Sequence, residues 1–172
     1  TASEDIQVLA RERYLRNVIS SARNLRSMAE KHSHGGINSV VIQTAARWKS
    51  DLARESLRLD SEGFDFKANG QSHVQSLPIF ENEALRGEIF QTWMALTVGS
   101  KKKRGRIHTW PDGDISLINS GLNETEVLSS NAQFLADALD VELVSVYPVG
   151  EGEDVAGKAR VAFPLEPGIA FQ

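Results

Sequence analysis

At 172 residues, 41% hydrophobic and 24% charged, the chain has ordinary globular composition and enough length for one domain, or a small domain with an appended element. It lacks cysteine, which excludes disulfides, thiolate metal sites and a cysteine nucleophile, and suits a reducing cytoplasm. The formal net charge of −4 hides a split: residues 1–106 hold 17 Lys and Arg against 12 acids, and residues 107–172 hold 2 against 11. A polyanion such as RNA is attracted to the first part and repelled by most of the second, where acidic surface is read as keeping the protein soluble. No apolar run of 18 residues and no leader-like opening occurs, so no membrane partner is expected. The start, helical in character and without Met, suggests a piece of a longer protein.

In chain order, residues 4–31 read as one amphipathic helix. Val8, Leu15, Val18, Ile19, Ala22, Leu25 and Ala29 form an apolar stripe, and Arg13, Arg16, Ser20, Arg23 and Ser27 face away from it. Ser3 is the expected N-cap, and His34, Gly35 and Gly36 the stop. Residues 37–43 read as a buried strand because β-branched residues fill a pleated surface. A helix from about Ala45 to Asp60 follows, with Trp48, Leu52 and Leu59 on one side and Arg47, Asp51, Arg54 and Arg58 on another. Residues 61–78 read as a loop. Residues 79–98 read as a helix offering Phe80, Leu85, Ile89, Phe90, Trp93, Met94 and Leu96 to a core.

Gly99 and Ser100 stop that helix, and a basic run follows: Lys101, Lys102, Lys103, Arg104 and Arg106 around Gly105. Pro111 to Asp114 reads as a turn. Asn123 with Glu126 is an approximate capping box before a helix over 124–139. Val141 to Tyr147 reads as a strand ended by Pro148, 150–157 as an acidic loop, and Arg160 to Phe163 and Gly168 to Phe171 as short extended segments.

Catalytic groups are sparse. His32 and His34 alternate beside glycines, poor spacing for two metal ligands on one helical face, and read as loop residues. No nucleophile elbow or phosphate-cradling glycine loop occurs. Asp112 with Asp114 lacks the other ligands of a calcium loop, and Glu151, Glu153 and Asp154 read as solvated. The basic run is more informative. It contains no acid, and its glycine would let backbone approach a phosphate. Taken alone it also fits a solubilising loop, and the arginine stripes also fit surface ion pairing. Trp48 and Trp93 fit a core; Trp110, beside the run, fits base stacking and core packing about equally.

The segment Val-Val-Ile-Gln-Thr-Ala-Ala-Arg-Trp-Lys at 40–49 resembles a strand-to-helix element of archaeal and eukaryotic cytosolic leucyl-tRNA synthetases. The helix ending in Ala-Leu-Asp-Val-Glu at 138–142, with the Val-rich strand to Tyr147, is similar as well. So is the close, Lys158-Ala159-Arg160 and then Pro164-Leu165-Glu166-Pro167-Gly168-Ile169. The resemblance covers about residues 1–60 and 120–172. It implies the C-terminal region of a class I enzyme that joins leucine to its tRNA with ATP. The His-Ile-Gly-His-like and Lys-Met-Ser-Lys-Ser-like motifs of that chemistry are absent, so no catalytic residue, metal or cofactor is expected here; ATP and Mg would belong to the full-length enzyme. The resemblance further implies that 1–36 is the last helix of an anticodon-binding bundle and 37–172 a small tRNA-binding domain. Pro167, Gly168, Ile169, Ala170 and Phe171 would then read the tip of the long variable arm of leucine tRNA, with Gln172 standing where an acid is expected.

The sequence therefore predicts an α+β fold: a long helix, then helices on a short mixed sheet. The expected function is non-catalytic RNA binding in the cytoplasm, with docking by Lys101, Lys102, Lys103, Arg104 and Arg106, help from Trp110, and readout by 167–171. The expected partners are leucine tRNA and the upstream domains of the same chain. Competing readings are a protein-interaction module of a synthetase complex and a small RNA-modifying enzyme.

Overall fold

The structure, a computed structural model, describes residues 2–32 and 35–172, with side chains from Glu4 onward. The expected cap at Ser3 and stop at His34 lie outside the described side chains and residues. The elements are helices α1 (Ala2–His32), α2 (Arg47–Ser61), α3 (Phe66–Ser76), α4 (Arg86–Leu96), α5 (Asp112–Asn119), α6 (Glu124–Ser130) and α7 (Ala132–Leu139), and strands β1 (Ser39–Thr44), β2 (Leu143–Pro148) and β3 (Gly168–Phe171). This is the expected α+β arrangement. The chain forms two compact units, residues 1–46 with 121–172, and residues 47–120.

The first unit is a three-stranded mixed sheet in the order β2-β1-β3, with β1 parallel to β2 and antiparallel to β3. One side chain in two faces each side of a strand, so Val40 and Ile42 share a face with Val144, Val146, Ile169 and Phe171. That face meets Tyr14, Val18, Ile19 and Ala22 of α1 and Leu128, Leu135 and Leu139 of α6 and α7. Each such fully buried aliphatic side chain contributes roughly 1.5–3 kcal/mol of burial. The apolar stripe of α1 is therefore real, but shifted toward its middle. Val8, expected in the core, is 51% exposed together with Ile6 and Leu9, while Ala10 and Tyr14 are buried.

A buried latch joins three segments of this unit. The Tyr14 hydroxyl donates to Glu124 Oε1 at 2.6 Å, and Leu165 N–H donates to Glu124 Oε2 at 3.1 Å. Burial raises the Glu124 carboxyl above its ordinary range, against the two donated hydrogen bonds, which lower it. Burial and then the Glu124 carboxylate push the Tyr14 hydroxyl well up. Leu165 adopts a left-handed φ of 66° in a tight turn in which Phe163 and Glu166 exchange backbone hydrogen bonds of 2.9 and 2.8 Å. The Pro-Leu-Glu-Pro motif is thus a latched turn, and residues 160–163, expected as extended, are not a strand.

The second unit is helical. α2 packs on α4 and α5, and α3 packs on α4; Leu52, Val74, Ile89, Trp93, Leu96 and Leu117 are buried in it. Several expectations are corrected here. Residues 61–78 hold α3, because the Asp65 side chain accepts from Ala68 N–H at 3.0 Å and caps a helix there. The helix expected from 79 begins at Arg86, since Pro78 and Asn82 bound two short 3-10 turns. Asp112 to Asp114, expected as a turn, opens α5, where two acids favour the positive end of the helix dipole. In the first unit, the helix expected over 124–139 is two, broken where the Asn131 side chain donates to Val127 O at 2.7 Å. Its cap behaves as expected, with Asn123 accepting from Glu126 N–H at 3.1 Å. Pro148, expected to end β2 from outside, is its last residue.

Candidate nucleic-acid interface

The basic run is a closed turn rather than a loose loop. Gly99 and Arg104 form a bridge, and Ser100 N–H donates to Lys103 O at 2.7 Å. The Ser100 hydroxyl accepts from Lys102 and Lys103 N–H at 3.3 and 3.2 Å. Gly99 sits at a φ of 73°, where a Cβ would stand 2.2 Å from Lys103 O. A Cβ on Gly105 would stand 1.9 Å from Thr97 O. Gly105 is buried, and the Ser100 hydroxyl occupies two of the turn's N–H groups. The expectation that glycine would open this backbone to a phosphate is therefore corrected: the side chains, not the backbone, face outward.

Lys101, Lys102, Lys103 and Arg104 are exposed. Among the described residues none of the four makes an ion pair. Arg106 is half-buried at the head of a 3-10 turn and has a partner of its own. Trp110 is half-buried, leaving part of the ring on the surface.

The arginine stripes have other occupations. On α2, Arg54 pairs with Asp51, and Arg58 pairs with Glu55 at 2.6 Å and Glu62 at 3.1 Å. Arg54 and Arg58 thus follow the ion-pairing reading of this stripe, while Arg47 is exposed. On α1, Arg23 donates to Ala138 O at 3.1 Å, and Arg26 donates to Leu139 O and to Asp140 O at 2.7 Å. Both cap the negative end of α7. Arg23 is thus a structural residue, not a free cation on an RNA-facing stripe.

The tail segment is β3. Gln172 and Ser39 exchange backbone hydrogen bonds of 2.8 and 3.0 Å. Antiparallel alternation then turns the backbone groups of Ala170 and Gly168 toward β1, and those of Ile169 and Phe171 toward the outer edge. Ile169 is 3% and Ala170 6% exposed. The expectation that free backbone groups along 167–171 meet bases is corrected: those of Gly168 and Ala170 pair with β1, and the Ile169 and Ala170 side chains fill the core. Pro167 and Phe171 are half-buried, and they and the outer backbone edge of β3 are what this segment presents.

A cavity of about 370 Å³ lies beside the basic turn, within the second unit. Phe64, Phe66, Thr97 and Val98 wall it, and Lys67 and Arg104 reach it together with Asp60 and His108. The rings are fixed by their neighbours. Phe64 lies edge-on to Phe66 at 5.2 Å and to His73 at 5.4 Å, and Phe66 lies edge-on to Trp93 at 5.9 Å. Trp48, half-buried beneath Lys49, and Trp93, fully buried, are packing residues as expected. The sequence reading missed this cavity. The alternation Phe-Asp-Phe-Lys at 64–67 was its one local signal, and it fell in a stretch read as a loop. Among the described residues no three His, Asp or Glu gather as metal ligands.

No family model matches the chain. Over 167 residues it is 29% identical to Leucine--tRNA ligase 1 of the archaeon Sulfolobus acidocaldarius. The match covers 96% of this chain and 15% of that protein, so the chain spans a small part of its relative's length. The resemblance read from the segments at 40–49, 127–147 and 158–169 is borne out, and the match extends through the middle that those segments left uncovered.

Proposed function

We propose that this chain is a tRNA-binding part of a leucine–tRNA ligase that holds leucine tRNA for ATP-dependent aminoacylation carried out elsewhere in the enzyme. The observation that carries the reading is the rigid turn at 99–105. It presents four exposed cations without local ion pairs on one short, closed stretch of backbone. Unpaired, exposed lysines on a fixed backbone suit phosphate contacts, which position a nucleic acid without reading it. The similarity to a leucine–tRNA ligase supports tRNA as the polyanion.

In this reading α1 is also the terminal helix of an upstream bundle. Its exposed Ile6, Val8 and Leu9 fit a covering segment. Readout by the tail falls to Pro167, Phe171 and the outer edge of β3. ATP and Mg serve the catalytic domain, and the compartment is the cytoplasm. No helix of the described residues is long and apolar enough to cross a membrane.

Fluorescence anisotropy with leucine tRNA, and with the same tRNA trimmed of its long arm, tests the reading. The intact tRNA should bind more tightly at every salt concentration. Equal affinities across the series would remove the arm-recognition role.

A further inference from the structure

We infer that the cavity beside the basic turn takes a single unpaired nucleotide of an RNA strand, and prefers a base that carries an exocyclic amine. The inference rests on the RNA-binding reading above and adds a site to it. At about 370 Å³ the cavity is at the small end of ligand pockets, which run from about 300 to 1,000 Å³. Its lining matches the base and the phosphate of a nucleotide. Phe64, Phe66 and Val98 offer an apolar, partly aromatic wall for the face of a base, the surface on which unpaired bases stack.

Lys67 and Arg104 are exposed at the same cavity, and among the described residues neither has an ion pair. Two unpaired cations that line one pocket suit a phosphate. Asp60 supplies the discrimination. Its carboxylate is 45% exposed and, among the described residues, reaches only His108, at 4.0 Å, so its oxygens remain open to accept from an amine. Asp65 is committed to capping α3. Cytosine, adenine and guanine offer an exocyclic amine to such a carboxylate, whereas uracil places a carbonyl oxygen where cytosine carries its amine.

The wall is built to hold this shape. Gly105 permits the close approach of its backbone to Thr97, and the Thr97 hydroxyl is tied to Trp93 O at 2.8 Å. The same turn carries Lys101 to Lys103, so a strand whose nucleotide enters the cavity passes along further cations. That continuity favours an RNA strand over a free nucleotide.

The test is equilibrium binding of the full chain to the RNA pentamers UUCUU and UUUUU, and to free CMP and UMP. Cytosine and uracil differ little in size, so the amine is isolated. UUCUU should bind about tenfold tighter than UUUUU, the scale of one charge-assisted hydrogen bond. D60N should abolish that preference, because an amide also donates to the uracil carbonyl. K67A/R104A should weaken both pentamers together; both residues are exposed, and unchanged thermal melting confirms the fold. Equal binding of the two pentamers by wild type, or a preference that survives D60N, would overturn the pocket. CMP binding as tightly as UUCUU would overturn the strand assignment. If D60N and K67A/R104A change nothing while K101A/K102A/K103A loses leucine tRNA, the pocket inference falls and the RNA reading stands. If wild type binds neither pentamer nor tRNA, both fall.

Discussion

The two units differ in how they use charge. The sheet unit, residues 1–46 with 121–172, holds 8 Lys and Arg against 13 acids, and the helical unit, 47–120, holds 11 against 10. The sequence split at 106 therefore does not survive folding, because the acidic second part joins the arginines of α1. In the sheet unit Arg23 and Arg26 cap α7, and Glu124 is buried against Tyr14. In the helical unit Arg54 and Arg58 of α2 are neutralised by near neighbours, but Arg47, Lys67 and Lys101 to Arg104 are left to solvent. Net charge thus says little about where a polyanion docks; the unpaired cations say more.

Substitutions that act on one unit alone break the comparison most directly. Leu135 is fully buried on the α1-facing side of the sheet. Leu135→Ala should cost about 2–5 kcal/mol through reduced burial and a residual cavity. Native-state hydrogen exchange should show the destabilisation at Val40 and Ile42 more than at Trp93 and Leu96. Equal destabilisation at both sets would mean that the units do not have separate cores.

Tyr14→Phe tests the latch. It leaves a buried carboxylate short of one donor, at about 1–3 kcal/mol, measured by urea denaturation. A change of a few tenths would reduce the latch to a packing contact. The pH dependence of Glu124 is a finer effect. Its raised carboxyl binds a proton more readily folded than unfolded, so this group favours the fold fully below the ordinary carboxylate value of 4.5. That contribution disappears as pH rises through the raised value. Wild type should therefore gain stability relative to Glu124→Gln as pH falls from neutral toward 4.5. A pH-independent difference between the two would show that Glu124 titrates alike in the folded and unfolded forms.

The sequence made the sheet unit more legible than the helical one. Valine-rich runs announced β1 and β2, and helical spacing announced α1, because periodicity records which side of an element is buried. The pairing of β3 with β1 was not legible. Gly168 to Phe171 read as extended, but nothing local says that Ile169 meets Ile42 across 127 residues of chain. The same gap turned a core strand into an expected reading tail. In the helical unit α3 was hidden by Gly70 and a polar composition, and its tertiary packing decides its state: a Cβ on Gly70 would lie 3.2 Å from the Trp93 indole nitrogen. The basic run was visible as composition. Its closure by Gly99, Ser100 and Gly105, and the cavity behind it, depend on backbone approach that no residue pattern displays.

Binding of leucine tRNA as a function of salt tests most directly whether the 99–105 turn is the docking element. If Lys101 to Arg104 bind phosphates, wild type should show a steep linear fall of log affinity with log salt. K101A/K102A/K103A/R104A should show a slope shallower by about 3, because each phosphate neutralised by a side chain releases roughly one counterion. Identical slopes for the two proteins would contradict a docking role for the turn.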